Sequence, residues 1–314
     1  MKKLPNLRVQ IAPRHADGLV LSNPVMIASG VAGYGIEYAE IADIQKLGAV
    51  VCKGTTLRPK KGNAQPRLVE TAGGLLNSVG LENIGVDALV REKAPIWAGW
   101  KVPVIVNVAG ETIDEYVAVA GKLEAVPGVS GIELNISCPN VSAGGMEFGV
   151  DPKLAARITS AVKAATTLPL IVKLSPNVAD IKEISLAVEE SGADAISLIN
   201  TLKGMAIDID QRKPRLGNIT GGLSGPVIKP VAVYMVFEAA RAVRIPVIGC
   251  GGITCGEDAL EFIMAGVSAV QIGTASLTSP GICLTILEEI EHFILDEGVE
   301  NLTDLIGVAQ HSAW

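Results

Sequence analysis

Short aliphatic runs recur along this chain in two patterns, and their repetition is the feature that most constrains the fold. In one pattern a proline opens the run, as in Pro169–Lys173; in the other a glycine after a helical segment leads into it, as in Ser191–Ser197. A proline can begin a strand without losing a ladder hydrogen bond, and a glycine suits the residue that follows a helix. The runs predict eight strands: Val25–Ser29, Ala49–Lys53, Val104–Asn107, Ile132–Ile136, Leu170–Leu174, Ala195–Ile199, Val247–Cys250 and Ala269–Ile272.

Helical patterns separate most of these runs, for example over Asp180–Ser191 and Glu257–Ala265. Alternating strands and helices imply a parallel sheet, and eight such units imply a closed (β/α)8 barrel, the TIM barrel of the α/β class. An open, doubly wound sheet is the alternative, but the first predicted strand lacks a GxGxxG turn. Because no change in composition divides the chain, we expect a single domain over residues 1–314.

Two kinds of segment lie outside the barrel pattern. The runs Leu7–Ile11 and Gly18–Leu21 predict a short N-terminal β-hairpin that covers the bottom of the barrel. Long, polar, glycine-rich stretches follow the second, fourth and sixth predicted strands: Arg58–Asn83, Asn140–Val150 and Thr201–Pro226.

Composition and charge exclude several functional classes. Hydrophobic residues make up 49% of the chain and aromatic residues only 4%, which suits a parallel sheet of aliphatic strands buried on both faces. The net charge of -7 argues against nucleic acid as a partner. The five cysteines form no CxxC pair, which argues against a disulfide framework and against an iron–sulfur or other metal site in this chain. No run approaches the ~18 apolar residues of a membrane helix, so we expect a cytoplasmic enzyme without a membrane partner.

Polar residues gather where the predicted strands end. In a β/α barrel the carboxyl ends of the strands form one mouth, and that mouth holds the active site. Two lysines and three asparagines fall at these ends, and buried lysines are costly unless they are paired with negative charge. The mouth is therefore expected to bind an anionic ligand through Ser29, Lys53, Asn107, Asn135, Lys173 and Asn200.

Glycines follow the last two predicted strands, at Gly251–Gly252 and at Gly273, which precedes Thr274. Barrels commonly bind phosphate in these two loops through backbone N–H groups. The segment Gly221–Gly225 could add further amides. Ordinary turn glycines are the alternative, but their presence at both strand ends favours a phosphate site.

Cys138 stands just beyond the fourth predicted strand, in a polar and glycine-rich segment. Free cysteines are usually buried and inert, and Cys52, Cys250 and Cys283 fit that description, whereas the neighbours of Cys138 are polar. The three histidines lie near the termini, which argues against a hydrolytic cysteine–histidine pair. Because nearby lysines favour a thiolate, we interpret Cys138 as an acid or base that works alone.

Eight segments, taken in order, resemble the class 1 dihydroorotate dehydrogenases over about Gly18 to Ser279. Each segment is weak by itself, but the ordered set is specific. The resemblance implies a barrel that binds FMN and oxidises dihydroorotate to orotate in pyrimidine (UMP) biosynthesis. The segments are Ala28–Gly30, Lys53–Thr56, Asn77–Asn83, Asn135–Asn140, Asn200–Thr201, Gly222–Pro226, Gly251–Ile253 and Gly273–Thr274.

The resemblance also implies a role for individual residues. Cys138 is implied as the base that takes the C5 proton of dihydroorotate while a hydride leaves C6 for the flavin. Lys53 would pair with the substrate carboxylate, and Lys173 would stabilise negative charge on the reduced flavin. The implied FMN set is Ser29, Lys53, Gly54, Asn107, Asn135, Lys173, Ile199, Gly225, Gly251, Gly252, Gly273 and Thr274. The implied orotate set is Lys53, Asn77, Ser78, Val79, Gly80, Leu81, Asn135, Asn140, Asn200 and Thr201.

The segments Gly144–Gly149 and Gly217–Pro226 resemble the NAD-dependent class 1B catalytic subunit more than the fumarate-dependent class 1A enzyme, which is the alternative. Class 1B implies a partner subunit that carries FAD and a [2Fe–2S] cluster, with a homodimer of this chain inside a heterotetramer. A dihydropyrimidine dehydrogenase is a second alternative, although its Cys-Pro is typically followed by histidine, where Asn140 stands here. A non-redox phosphate-binding barrel, such as an isomerase or aldolase, is the third.

Overall fold

The computed structural model describes residues 5–136 and 148–311. Eight parallel strands close into a barrel in which each strand pairs with its neighbours in sequence and the eighth pairs with the first. The predicted TIM barrel is therefore confirmed. Each observed strand overlaps its predicted run and differs from it by at most two residues at either end. The barrel strands, first to eighth, are Val25–Ile27, Ala49–Val51, Val104–Val108, Gly131–Asn135, Leu170–Lys173, Ala195–Leu198, Val247–Cys250 and Ala269–Ile272.

Helices lie between the strands, and polar side chains cap several of them. The carboxylate of Asp180 accepts a hydrogen bond from the backbone N–H of Lys182, so the helix Ile181–Glu190 begins where a capping residue stands. Its buried residues Ile181, Ile184 and Val188 recur at helical spacing and face the barrel. The α-helices are Ile36–Ala39, Val86–Glu92, Ala94–Trp97, Ile113–Leu123, Pro152–Lys163, Ile181–Glu190, Lys229–Ala242, Gly256–Ala265, Ala275–Thr278 and Ile282–Glu297. Short 3-10 helices span Ile44–Lys46, Phe148–Val150, Pro226–Ile228, Leu302–Leu305 and Val308–Gln310.

The predicted N-terminal hairpin is present, in a shorter form than the sequence pattern indicated. Its paired strands are Val9–Gln10 and Val20–Leu21. Between them, a ring nitrogen of His15 lies 2.5 Å from the carbonyl oxygen of Thr167, a few residues before the fifth barrel strand begins. The hairpin therefore lies at the amino ends of the strands, which is the bottom of the barrel, as predicted.

A small antiparallel sheet forms from the stretches that follow the second and sixth barrel strands. Its four strands, in spatial order, are Leu202–Gly204, Gly221–Ser224, Gly74–Asn77 and Leu68–Thr71. A separate hairpin pairs Ile207–Asp208 with Lys213–Pro214. The sequence analysis predicted no strands in these stretches, and the short strands found there join two distant parts of the chain. The sheet brings Asn77 beside Gly222, and so links two segments of the predicted site.

Among the residues that the structure describes, no helix combines the length and the apolar character needed to cross a bilayer.

Candidate active site

A buried polar network crosses the interior of the barrel near its mouth. The carboxylate of Glu133 accepts hydrogen bonds from Asn107 Nδ2 at 2.7 Å, Ser197 Oγ at 2.9 Å and Gln271 Nε2 at 2.6 Å. Lys173 Nζ donates to Gln271 Oε1 at 3.0 Å and lies 3.7 Å from Glu133 Oε1. All five side chains are buried. Part of the lysine charge, which the sequence analysis assigned to an anionic ligand, is therefore balanced within the barrel itself.

The sequence analysis did not identify Glu133, Ser197 or Gln271 as members of the site. A usable signal was present, because side chains in a strand alternate between its two faces. Glu133 precedes Asn135 by two residues, so both point to the inside of the barrel, whereas Ile132 and Leu134 point to the helices. A polar residue at an inward position of an otherwise aliphatic strand is the pattern that marks this network.

Asn107 supplies an observation that bears on ligand binding. Its Nδ2 is held by Glu133, but its Oδ1 is buried and has no hydrogen-bond partner. A buried amide oxygen without a partner costs about 1–3 kcal/mol. A Cβ atom placed on Gly54 would lie only 3.2 Å from this oxygen, so glycine keeps its surroundings open. The position of Asn107 Oδ1 fits a ligand that offers an N–H group at the barrel mouth.

The ends of the fourth and sixth strands meet through two predicted asparagines. Asn200 Nδ2 donates to Asn135 Oδ1 at 3.4 Å, and Asn200 Oδ1 accepts from the backbone N–H of Thr201 at 2.8 Å. The carbonyl of Asn135 accepts from the hydroxyl of Tyr116 at 2.7 Å. Amide side chains with both donors and acceptors therefore stand together at the mouth.

The segment Asn77–Leu81, predicted to contact substrate, is held over this mouth by its neighbours. Asn63 donates through its side chain to the carbonyl of Ser78 and through its backbone to the carbonyl of Val79, each at 3.0 Å. Leu81 has a left-handed backbone, with φ of 55°, and Asn83 Nδ2 donates to its carbonyl at 2.7 Å. The hydroxyl of Ser78 is buried and has no partner, so a polar group is available on this segment.

Thr201 and Gly222 approach each other closely in the small sheet. A Cβ atom placed on Gly222 would lie 2.0 Å from Thr201 Oγ1 and 2.5 Å from Thr201 Cβ. Asn77 Nδ2 donates to the carbonyl of Gly222 at 3.2 Å. A side chain at position 222 would therefore displace two residues of the predicted substrate set.

Three glycines of the predicted phosphate site converge at the start of the helix Lys229–Ala242. Gly225, Gly251 and Gly252 have φ values of 97°, 134° and 79°, which favour glycine. A Cβ atom on Gly252 would lie 2.8 Å from the backbone nitrogen of Lys229 and 3.0 Å from the carbonyl oxygen of Gly225. The loop after the seventh strand thus packs against the start of a helix, the arrangement in which backbone N–H groups bind phosphate.

The eighth strand joins the same region. Thr274 Oγ1 donates to Ser224 Oγ at 2.8 Å, which connects the loop after the eighth strand to the small sheet. A Cβ atom on Gly273 would have Ala28 Cβ as its nearest neighbour, at 3.8 Å, and Ser29 follows Ala28. Ile199 lies against Gly251, where an added Cβ atom would be 3.2 Å from Ile199 Cγ1. The structure therefore brings the residues of the predicted phosphate site to one side of the mouth.

An ion-pair cluster fixes the loop after the seventh strand. Lys229 Nζ donates to Asp258 at 2.7 Å and to Glu261 at 2.6 Å. The second oxygen of Asp258 accepts from the backbone N–H of Thr254 at 2.8 Å and from its hydroxyl at 2.7 Å. Burial raises the pKa of Asp258, but the hydrogen bonds from Lys229 and Thr254 outweigh it and hold the pKa at about 2.

This cluster predicts an acid-sensitive contribution to stability. The folded pKa of Asp258, about 2, is below its ordinary value of 3.8, so the ionised carboxylate stabilises the fold above pH 4 and less as pH falls towards 2. After allowance for solvent screening, Asp258→Asn is expected to lower the free energy of unfolding by about 1 kcal/mol at neutral pH. Urea unfolding between pH 7 and 3 tests this. A difference from wild type that grew on acidification would contradict the assignment.

Three of the described cysteines, Cys52, Cys250 and Cys283, differ from a catalytic thiol. Burial raises the pKa of Cys52 to about 12, and burial raises that of Cys283 to about 11. The pKa of Cys250 is also raised by burial, although Lys173 opposes the shift. These thiols remain protonated at neutral pH. Cys138 and Asn140 lie outside the described residues. Within residues 5–136 and 148–311, no group of three or more acidic, histidine or cysteine side chains is placed to hold a metal ion.

This chain is similar to proteins of one known family. Residues 14–294 match the family model described as dihydroorotate dehydrogenase. A protein of Geobacter sulfurreducens named dihydroorotate dehydrogenase B (NAD(+)), catalytic subunit, is 52% identical over 306 residues, or 98% of this chain and 99% of that protein. The equally named protein of Desulforudis audaxviator is 51% identical over 295 residues, or 94% and 96% of the two chains.

A solved structure shares the fold. A crystal structure of DHODH from Eimeria tenella in complex with ferulenol matches with a TM-score of 0.81 at 21% identity, and the match covers 98% of this chain and 89% of that one. At that identity the likeness concerns the barrel alone. The family model and the near-complete relatives carry the assignment further: this chain belongs to the dihydroorotate dehydrogenase family, and among its members it is similar to the catalytic subunits of the NAD(+)-dependent B enzymes.

Proposed function

We propose that this protein oxidises dihydroorotate to orotate with FMN and that the electrons reach NAD through a partner subunit. The observation that supports this most directly is the mouth itself, where the unpartnered Asn107 Oδ1, the amides of Asn135 and Asn200, and Lys173 stand close together. Such a mouth suits a planar ring system with imide groups. The relatives named as catalytic subunits of an NAD(+) enzyme support the choice of acceptor.

FMN would be held by residues from two sides of the mouth. The positive-φ glycines Gly225, Gly251 and Gly252 would leave room for its phosphate, and Thr274 would donate its hydroxyl. Asn107 and Lys173 would bind the ring portion, and Ser29, Lys53, Gly54, Asn135, Ile199 and Gly273 complete the proposed set. When bound, FMN supplies the acceptor for the substrate hydride.

The substrate would be bound by groups that match its charge. Dihydroorotate carries a carboxylate and an imide, so it needs a cation as well as donors and acceptors. Lys53, half-buried after the second strand, would pair with the carboxylate. Asparagine amides offer a donor and an acceptor each. The proposed substrate set is Lys53, Asn77, Ser78, Val79, Gly80, Leu81, Asn135, Asn140, Asn200 and Thr201.

Cys138 is proposed as the base that takes the C5 proton. A general base needs a pKa near the working pH. The thiols of Cys52, Cys250 and Cys283 have pKa values raised by burial and are unsuited to this role. The lysines expected near Cys138 would favour its thiolate form.

The assembly forms the last part of the proposal. We propose a cytoplasmic heterotetramer in which two copies of this chain, each a single FMN-binding domain over residues 1–314, pair with two partner subunits. The partner would carry FAD and a [2Fe–2S] cluster. The words "catalytic subunit" in the names of the relatives support the presence of a second kind of subunit in those enzymes.

The proposal is tested by co-expression with the product of the neighbouring gene. The purified complex should be yellow, should contain FMN and should reduce NAD when dihydroorotate is added. Parallel assays offer fumarate as acceptor and dihydrouracil as substrate. Activity with fumarate but not NAD would contradict the acceptor, and oxidation of dihydrouracil alone would contradict the substrate. A protein that cannot be reconstituted with FMN would contradict the flavin chemistry.

Replacement of Lys53 with alanine is expected to weaken orotate binding. A hydrogen bond to a charged group contributes about 1.5–3 kcal/mol, so the dissociation constant should rise roughly tenfold to hundredfold. Titration of the flavin absorbance with orotate measures this. Lys61→Ala is the matched control, because Lys61 is exposed in the same segment and should leave orotate affinity unchanged. Equal affinities for wild type and Lys53→Ala would remove Lys53 from the substrate site.

Gly222→Ala is expected to lower kcat/KM for dihydroorotate. The added Cβ atom would lie 2.0 Å from Thr201 Oγ1, and Thr201 belongs to the proposed substrate set. A displacement of about 1 Å at a reacting site can cost about 100-fold in rate. Steady-state kinetics measure the change. Gly121→Ala is the control, because Gly121 is exposed and no atom lies within 4 Å of an added Cβ. Unchanged kinetics for Gly222→Ala would contradict this contact.

A further inference from the structure

Glu133 is fully buried in the fourth barrel strand, and the chemistry proposed above does not use it. Its Oε1 accepts from Asn107 Nδ2, and its Oε2 accepts from Ser197 Oγ and Gln271 Nε2. Lys173 Nζ stands 3.7 Å from Oε1. Because donors surround both oxygens, the contacts suit an ionised carboxylate, which accepts hydrogen bonds only.

Gln271 has a defined orientation in this network. Its Oε1 accepts from Lys173 Nζ at 3.0 Å, which leaves its Nε2 to donate to Glu133 at 2.6 Å. The amide of Gln271 therefore bridges Lys173 and Glu133, whose charged groups also lie 3.7 Å apart. Rotation of the amide would place its NH2 group against the lysine and its oxygen against the carboxylate. The side chains of Glu133, Gln271 and Lys173 thus fix one another.

Fold stability alone does not explain a carboxylate at this position. Burial of two opposite charges is often no more stabilising than a well-packed apolar pair. Glu133 does, however, determine where two mouth residues point. It holds the NH2 group of Asn107, so that the unpartnered Oδ1 is directed away from it. It also places a negative charge beside Lys173.

We propose that Glu133 is a positioning residue that orients Asn107 and Lys173 for FMN and that its negative charge lowers the reduction potential of the bound flavin. The inference rests on the proposed FMN site. Reduction adds negative charge to the flavin, so a nearby carboxylate opposes reduction and a nearby ammonium favours it. Glu133 lowers the potential in two ways. Its own negative charge opposes reduction, and it offsets the positive charge of Lys173, which favours reduction.

The first test is Glu133→Gln, with the flavin potential measured by redox titration against a reference dye. Loss of the carboxylate should stabilise reduced over oxidised flavin at least tenfold, which for a two-electron couple is a rise of about 30 mV. FMN affinity should fall as well, because the amide NH2 at position 133 would face a donor of Asn107 or Gln271. A residue needed only for folding would lower stability without a rise in the potential of the bound flavin.

A charge swap provides the rescue. In Glu133→Gln combined with Gln271→Glu, the amide at position 133 can accept from Asn107 and donate to the carboxylate at position 271. That carboxylate replaces the acceptor that lies 3.0 Å from Lys173 Nζ. The network keeps its charge, and the hydroxyl of Ser197, which now donates to Glu133, can instead accept from the amide NH2 at position 133. FMN affinity and the reduced-to-oxidised ratio should therefore return to within threefold of wild type.

Glu124→Gln is the matched control for the charge change. Glu124 accepts hydrogen bonds from Thr166 and Thr167, just before the fifth barrel strand, so it lies at the bottom of the barrel. Removal of its charge should leave the flavin potential unchanged. A shift equal to that of Glu133→Gln would contradict the inference, because the effect would then follow net charge rather than position.

The outcomes separate this inference from the proposed function. A wild-type protein that binds no FMN would contradict the proposed function and the inference together. A wild type that binds FMN, with an unchanged or lower potential in Glu133→Gln, would contradict the inference alone. If Glu133→Gln does not fold, the double variant with Gln271→Glu is the deciding measurement. An FMN affinity and flavin potential equal to those of wild type support the role of the network, and a tenfold change in either contradicts it.

Discussion

Replacement of Cys138 with alanine is expected to lower turnover of dihydroorotate at neutral pH by about 10²–10⁴-fold, the contribution typical of a general base. FMN should remain bound, because Cys138 is not among the residues proposed to hold it. Turnover number and the flavin absorbance of the same preparation measure the two effects separately. Wild-type turnover in Cys138→Ala would remove the thiol as the base.

Cys138→Ser refines the same prediction. A hydroxyl is a much weaker acid than a thiol, so the serine variant should retain a small activity that increases with pH over the range in which the wild type has levelled off. Cys255→Ala is the control: Cys255 is half-buried before the helix Gly256–Ala265, and its replacement should leave the pH profile unchanged. A serine variant with the wild-type profile would contradict a base at position 138.

The barrel could be predicted from the sequence because its signal is local and repeated. Each strand is an aliphatic run buried on both faces, and each run carries its own proline or glycine boundary. The fourth strand shows the limit of this local signal. Glu133 was visible as a polar residue within a run, but its partners come from four other strands. Only closure of the barrel brings them together, so sequence spacing could not predict the network.

The small sheet over the mouth escaped prediction for a different reason. Its strands are three or four residues long, and Gly221–Ser224 begins with two glycines, which are depleted in strands. Their pairing joins residues that follow the second and sixth barrel strands. Asn77 and Thr201 were nevertheless predicted as substrate residues, because the family resemblance depends on short motifs and not on the strands that carry them. Cys138 was predicted first from its position beyond the fourth strand, and the resemblance added the role of a base.

Replacement of Lys173 with methionine is expected to lower the free energy of unfolding by about 3–5 kcal/mol, the cost of leaving a buried charge without its partner. Methionine keeps most of the side-chain volume and removes the ammonium group. Glu133, which is 0% exposed, would lose the cation that lies 3.7 Å away, and Gln271 Oε1 would lose its donor at 3.0 Å. Urea unfolding of the flavin-free protein measures the effect without a contribution from FMN binding.

Two comparisons determine whether the loss comes from the buried pair. Lys122 forms an ion pair with Asp87 in which both side chains are largely exposed, so Lys122→Met should cost less than about 1 kcal/mol. In a Glu133→Gln background, Lys173→Met should cost about 2 kcal/mol less than in wild type, because no buried carboxylate remains to be neutralised. If the two backgrounds gave equal losses, the effect would come from the other contacts of Lys173, such as its hydrogen bond to Gln271, and not from the charge of Glu133.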